Sequence, residues 1–367
     1  MLSLVQKSAT AHNVLSDRTQ LAAEWLLHSG ICRPGFGIAD EYRTNGREYA
    51  PESNKATAYY VSTLIWLFET YGQTRYIDRA LTTAQLLSQS ALVMYVSTCT
   101  DGMATSDRPT YSRLDECSAI LRALLRCWEV SRHSEFLDRA MECAIFMQRI
   151  PGRCPLESTR GWLELADETE SRQWRKLHDR VLGRSLNLDP EFLEFGDSKP
   201  APSSAASGNN TALSPPTAEL TRQCCFLEAL LPTLVRPGRQ SLAARRVFEQ
   251  VFALASNAVR ALSSKTPDEN PVPTETYARL LRLRLYAAGL GLIRLDAGQA
   301  EYEADLLGEM QAAHYDPKIR GGFYTCPGSS IFERVVGLAA TAVSAQALGQ
   351  WMQFKNGSFQ PDLAQMI

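Results

Sequence analysis

A sixty-residue repeat constrains this chain more than any other feature. Tyr76-Ile77-Asp78-Arg79-Ala80 returns as Phe136-Leu137-Asp138-Arg139-Ala140. The same offset places Leu64 on Leu124, Glu69 on Glu129 and Ala84 on Ala144, and sets Leu21, Leu26 and Leu27 on Leu81, Leu86 and Leu87. Each copy joins a helical pattern, a short turn and a second helix carrying Asp-Arg-Ala. One such hairpin cannot bury its apolar stripe alone, so the hairpins must stack.

Helical periodicity runs through the rest of the chain and β-alternation is scarce. Helices are expected near 15–29, 54–72, 74–91, 111–131, 133–150, 168–183, 217–235, 239–263, 274–297, 299–314 and 331–353. Connections alternate between short (72–74, 131–133, 235–239, 297–299) and long (30–53, 92–110, 151–216, 264–273, 315–330). In antiparallel hairpins every second connection lies at the same end, so one end collects the long loops, where binding and catalysis usually sit. Pairing the first helix with the last would close the array. The expected fold is all-α: helical-hairpin repeats closed into an (α/α)5–6 toroid, a single domain over 1–367. Residues 196–216, rich in Ser, Ala, Pro, Gly and Asn, are expected to form a disordered surface loop.

Composition narrows the function by exclusion. Lys and Arg number 38 against 40 Asp and Glu, a net charge of −2, which argues against a general nucleic-acid binder. No secretory signal and no membrane span are read, and the nine cysteines lack metal-ligand spacing, so a reduced, cytoplasmic chain is expected. The phosphate-loop, HExxH and GxSxG motifs are absent, and Gly35-Phe36-Gly37 and Gly289-Leu290-Gly291 lack the third glycine of a dinucleotide fingerprint. No cofactor and no metal are expected.

The loop before the second helix holds the richest constellation. It reads Gly35-Phe36-Gly37-Ile38-Ala39-Asp40-Glu41-Tyr42-Arg43, then Ala50-Pro51-Glu52-Ser53 and Tyr59-Tyr60, and its helix ends at Tyr71-Gly72. With Arg75-Tyr76-Ile77-Asp78-Arg79-Ala80, this pattern resembles the bacterial six-hairpin glycosidase-like (α/α) toroids, which include uronyl C5-epimerase-like proteins and polysaccharide lyase or hydrolase relatives. The likeness covers about residues 15–150, and Gly321-Gly322-Phe323 resembles the loop before an inner helix. Ala50 stands where the family has Tyr, with Tyr49 adjacent, and Lys55 and Ala56 stand where a Gly is common. The resemblance implies a carbohydrate ligand.

The residues suit such a ligand. Carboxyls supply acid and base, tyrosines supply apolar faces with a polar handle, and arginines clamp a carboxylate. Glu41, Tyr42, Glu52, Tyr59 and Asp115 are the catalytic candidates, with Arg43, Tyr111, Arg222, Tyr324 and Arg334 for substrate binding. A glycosidase needs two opposed carboxyls, whereas a uronate lyase or epimerase needs a neutralised substrate carboxylate and a base. The Tyr and Arg content leans toward the second. Few histidines stand where a central-funnel epimerase would need them, and Asp115-Glu116 is too sparse for a terpene cyclase. The expected function is action on an acidic, uronate-containing bacterial polysaccharide or oligosaccharide, as lyase, C5-epimerase or glycoside hydrolase. The alternative is a non-catalytic helical-repeat scaffold binding a protein or glycan partner in polysaccharide biosynthesis.

Overall fold

The computed structural model describes residues 17–33, 37–100, 111–148, 156–186, 215–236, 239–263, 272–326 and 334–367. Twelve α-helices stand among them. Six form an inner ring: α2 (Asn54–Tyr71), α4 (Tyr111–Ser131), α6 (Arg160–Glu168), α8 (Pro215–Leu234), α10 (Thr274–Gly289) and α12 (Leu338–Lys355). The other six lie outside: α1 (Asp17–His28), α3 (Thr74–Thr100), α5 (Ser134–Gln148), α7 (Arg172–Leu186), α9 (Arg239–Ser263) and α11 (Ala297–Met310). Successive inner helices pack on one another except between α6 and α8, where a 3-10 turn, Leu156–Thr159, bridges α4 to α8. α12 packs on α10, α2 and α1, so the first and last helices do pair and the ring closes with six hairpins.

Inner helices such as α10 and α12 are buried nearly all round because inner neighbours and an outer partner cover them. In α10 every residue from Thr276 to Ala287 is buried. In α12 the small residues Ala340, Ala342, Ala345 and Ala347 let neighbouring helices approach closely. Tyr76 and Phe136, Ala80 and Ala140, Ala84 and Ala144, and Leu64 and Leu124 are all buried, each pair at equivalent places. Burying a large apolar side chain contributes about 1.5–3 kcal/mol, so the repeat is a repeat of core positions. In α1 the register slips by one: Ala23 and Leu26 are buried as Ala84 and Leu87 are.

The tight turns repeat too. Gly72 (φ 72°) ends α2 with its N–H on the Phe68 carbonyl at 2.7 Å, and Arg132 (φ 57°) ends α4 with its N–H on the Trp128 carbonyl at 2.8 Å. Left-handed backbone favours glycine, and the second copy does without it.

Four expectations need correction. The helix expected over 168–183 is α7, which begins at Arg172 after a turn at Glu170 (φ 52°), and the shorter α6 before it is unexpected. The one expected over 274–297 stops at Gly289, and Gly291 (φ 68°) turns the chain before Asp296 caps α11. The one expected over 331–353 begins at Leu338, behind a strand. Of the expected disordered loop, 196–214 lie outside the described residues, and α8 already includes 215–216.

Short strands stitch the ring shut. β1 (Cys32–Arg33) pairs with β2 (Gly37–Ile38). β3 (Glu41–Arg43), β4 (Glu48–Tyr49), β5 (Phe323–Tyr324) and β6 (Val335–Gly337) form an antiparallel sheet in the order β4-β3-β6-β5. Tyr42 faces Val336 and Glu41 faces Gly337, which joins the loop before α2 to the loop before α12. Gly321 (φ 91°) lets that second loop lie on α1, since a Cβ there would overlap the Leu21 carbonyl. Among the described residues no helix is long and apolar enough to cross a membrane.

Candidate functional site

A cavity of about 60 Å³, room for a few waters, opens among the inner helices α2, α4, α6, α8 and α10. Ala58, Tyr59 and Ser62 of α2 line it, with Asp115, Ser118, Ala119 and Arg122 of α4. Arg160 of α6, Cys225, Glu228 and Ala229 of α8, Arg279 of α10, and Ile367 complete the wall. Ser53 fixes the start of α2: its hydroxyl accepts from the Ala56 N–H at 3.0 Å and donates to Asp40 at 2.8 Å.

Beneath the surface lies an ion-pair network. Glu228 bridges two buried guanidiniums: Oε2 pairs with Arg279, and Oε1 accepts from Arg282 at 2.5 Å. Glu275 accepts from Arg279 Nε at 2.8 Å and Nη2 at 2.6 Å. Burial works against the Glu275 carboxylate, but Arg279 and Lys55 outweigh it and hold its pKa below the usual value. Arg279 Nη2 also donates to the Tyr59 phenol oxygen at 2.9 Å, which leaves the phenol its own proton for donation. Burial raises the Tyr59 pKa, against the pull of Arg279 and Lys55.

At the rim, Lys55 pairs with Asp115, and its Nζ stands 6.0 Å from the Tyr59 ring centre. Burial opposes the ammonium, yet Tyr59 and Asp115 raise its pKa above the ordinary lysine value. Opposite, Glu164 holds Arg122 and Arg160, each at 3.1 Å. Burial first, then the neighbouring Arg122 charge, pull Arg160 down to about 9. Arg160 stays charged at neutral pH, but in a pocket of excess positive potential.

Of the ten residues expected from sequence, Tyr59 and Asp115 line this cavity. Arg222 stands one turn before Cys225 and binds Glu219 at 2.6 Å. Glu41, Tyr42 and Arg43 lie on β3, with Arg43 Nε on Glu41 at 2.9 Å. Tyr42 is 1% exposed and packs on Tyr49 with ring centres 4.9 Å apart, so its ring is a core wedge. Glu52 pairs with Arg33 at 3.0 Å. Arg334 covers the Tyr324 ring at 4.8 Å. These residues form a second cluster around the sheet, apart from the cavity lining. The Tyr111 side chain lies outside the described side chains.

No family model matches the chain, and no curated protein matches it. Solved structures do. D-mannose isomerase is similar with a TM-score of 0.63 at 10% identity, over 95% of this chain and 100% of that one. An unsaturated glucuronyl hydrolase specific for heparin gives 0.61 at 9%, over 94% and 99%. A variant of the unsaturated glucuronyl hydrolase from Streptococcus agalactiae, complexed with dGlcA-GalNAc6S, gives 0.58 at 11%, over 94% of each chain.

The fold is the six-hairpin glycosidase-like (α/α) toroid.

Sequence reading missed most of the toroid's central polar set: Lys55, Arg122, Arg160, Glu228, Arg279 and Arg282. One signal was available. Arg279, Arg282 and Arg284 interrupt an otherwise apolar helix, and such charges are buried only when paired. Their partners come from distant segments: Tyr59 is 220 residues from Arg279, and Glu228 is 51.

Proposed function

We propose that this toroid turns over uronate-containing saccharides whose charged end enters the mouth of its central cavity, with Asp115 as the acid/base group. One observation carries the reading. Three guanidiniums and two carboxylates line the cavity, and of the two carboxylates only Asp115 is not locked between arginines. The excess positive charge suits a ligand carboxylate. One carboxylate free of arginines, with the Tyr59 phenol in the same cavity, suits proton transfer at the uronate unit rather than a two-carboxyl displacement. Tyr59 supplies an aromatic face and a second donor.

Three reactions share that requirement: elimination, C5 epimerisation, and hydrolysis of an unsaturated uronosyl end after protonation of its enol ether. The fold shared with unsaturated glucuronyl hydrolases makes the third the first to test. Purified protein is incubated with an unsaturated uronosyl disaccharide and with saturated uronate oligosaccharides. Loss of the double bond's ultraviolet absorbance marks hydrolysis, gain marks elimination, and solvent deuterium at C5 marks epimerisation. Turnover in the wild type that is lost in Asp115→Asn supports the reading. None of the three signals with any substrate would reject it.

A second reading has its own support. Glu228 and Glu275 are neutralised internally and Lys55 spans to Asp115, as in a scaffold whose ion pairs only hold the ring. A stable glycan or protein partner, retained in Glu41→Ala and Glu52→Ala and accompanied by no turnover, would favour it.

A further inference from the structure

Ile367 lines the cavity, yet it belongs to no inner helix. The chain leaves α12 at Lys355, at the end of the ring where the tight turns lie, and doubles back. Gly357 (φ 70°) makes the turn, and Phe359 packs edge-on against Tyr286 with ring centres 5.5 Å apart. Asp362 then caps a 3-10 turn, Leu363–Gln365, its Oδ1 accepting from the Ala364 N–H at 3.0 Å. The segment therefore climbs the axis of the ring toward the cavity from below.

Side chains of four inner helices grip its backbone. The Tyr286 hydroxyl of α10 donates to the Asp362 carbonyl at 2.9 Å. Arg160 of α6 donates to the Leu363 carbonyl, and Arg122 of α4 to the Met366 carbonyl. Gln346 of α12 donates to the Gln365 carbonyl at 2.6 Å and accepts from the Ile367 N–H at 3.2 Å. Arg282 of α10 donates to the Ile367 carbonyl at 3.0 Å. A segment held at five backbone positions by side chains of four helices is a fixed part of the wall. Arg122 and Arg160 also line the cavity, so the same contacts that fix the segment orient two of its guanidiniums.

We infer that Ile367 is a specificity-determining residue: it is the floor that sets how deep a ligand entering from the loop end can reach. This rests on the saccharide reading above, but its geometry does not. A methylene more or less in an apolar wall changes discrimination by about tenfold or more.

The test compares the wild type with Ile367→Phe, Ile367→Ala and Ile367→Val, each checked for an unchanged thermal midpoint. Binding of unsaturated uronosyl disaccharides with large and small substituents is measured by calorimetry. Ile367→Phe is expected to weaken the bulkier ligand about tenfold relative to the smaller, Ile367→Ala to narrow that gap, and Ile367→Val to leave it near the wild type. Equal affinities in all four chains would overturn the inference. If the wild type binds no saccharide, the carbohydrate reading falls, and the floor is judged by labelling instead. Ile367→Cys is treated with a small neutral thiol reagent under native conditions and the labelled peptide is identified by mass. Labelling at Cys in that position upholds the floor; none before global unfolding overturns it.

Discussion

Lys55 and Asp115 stand sixty residues apart, the spacing of the repeat, and their side chains meet at the rim of the central cavity. They occupy equivalent places on successive inner helices, α2 and α4. The repeat that builds the ring has therefore diverged here into opposite charges. Both side chains stay nearly half exposed, at 43% and 48%. An exposed ion pair adds under about 1 kcal/mol to stability, so on the proposed reading its place at the cavity rim serves a ligand more than the fold.

The first prediction follows from that exposure. Asp115→Asn keeps the shape of the side chain and removes its ability to accept a proton. Turnover of a uronate substrate is expected to fall at least about a hundredfold. Unfolding free energy is expected to stay within about 1 kcal/mol of the wild type. Steady-state rates and urea denaturation on the same preparations check both halves. A loss of stability matching the loss of activity would move Asp115 from the site to the scaffold.

Glu228 is the opposite case. Its carboxylate lies between Arg279 and Arg282, and all three side chains are nearly inaccessible. Removing it leaves the buried Arg282 without its carboxylate and Arg279 with Glu275 alone, a loss of about 3–5 kcal/mol. Glu228→Ala is expected to lower the urea midpoint accordingly. Glu228→Leu is expected to be no better, because the arginines remain.

The architecture was legible in the sequence because it is local. Leu64 and Leu124, or Tyr76 and Phe136, are spaced by helical geometry within a hairpin and by the repeat between hairpins. The sheet was not legible, because strands such as Cys32–Arg33 or Phe323–Tyr324 are too short to show a period of two. The helix expected to run to 297 overran because Leu290, Leu292, Ile293 and Leu295 continue an apolar pattern past the turn at Gly291. The site was half legible. Tyr59 and Asp115 head inner helices, which the alternation of long and short links located. The arginines pair across the ring, and no spacing along the chain announces such a pair.

The two equivalent turns give a second stability test. Gly72 adopts left-handed backbone with its N–H bonded to Phe68, and Arg132 does the same with a side chain attached. Gly72→Ala is expected to cost about 1–2 kcal/mol, the penalty of a Cβ in that region. Arg132→Gly relieves the strain but loses the guanidinium from the Trp128 ring, 5.2 Å away, and from Glu168 at 3.3 Å. Its net effect is expected to be within about 0.5 kcal/mol of zero, well short of the loss at Gly72. Thermal unfolding of the two variants side by side reads the difference.

Stability is also expected to depend on pH through two buried groups that pull in opposite directions. Glu129 pairs with Arg126, as its repeat partner Glu69 does, at the tight-turn end of the ring. Burial raises its pKa to about 7 against the pull of Arg126, with Glu164, Glu168 and Glu69 adding to the rise. The folded chain then holds a proton there that the unfolded chain, with an ordinary carboxyl near 4.5, releases. This stabilisation is full below about 4.5 and is lost as pH rises through about 7. His178 behaves the other way. Burial, then the Arg236 charge, lower it from 6.5 to about 4, and Thr159 Oγ1 sits 2.9 Å from Nδ1. Its contribution is present above 6.5 and is lost as pH falls through about 4. Glu129→Gln removes the first dependence and leaves the second. The variant's unfolding free energy, relative to the wild type, is expected to improve by on the order of 1–2 kcal/mol between about pH 5 and about pH 8. Urea midpoints at the two pH values measure it, and a difference independent of pH would show that Glu129 titrates as an ordinary carboxyl.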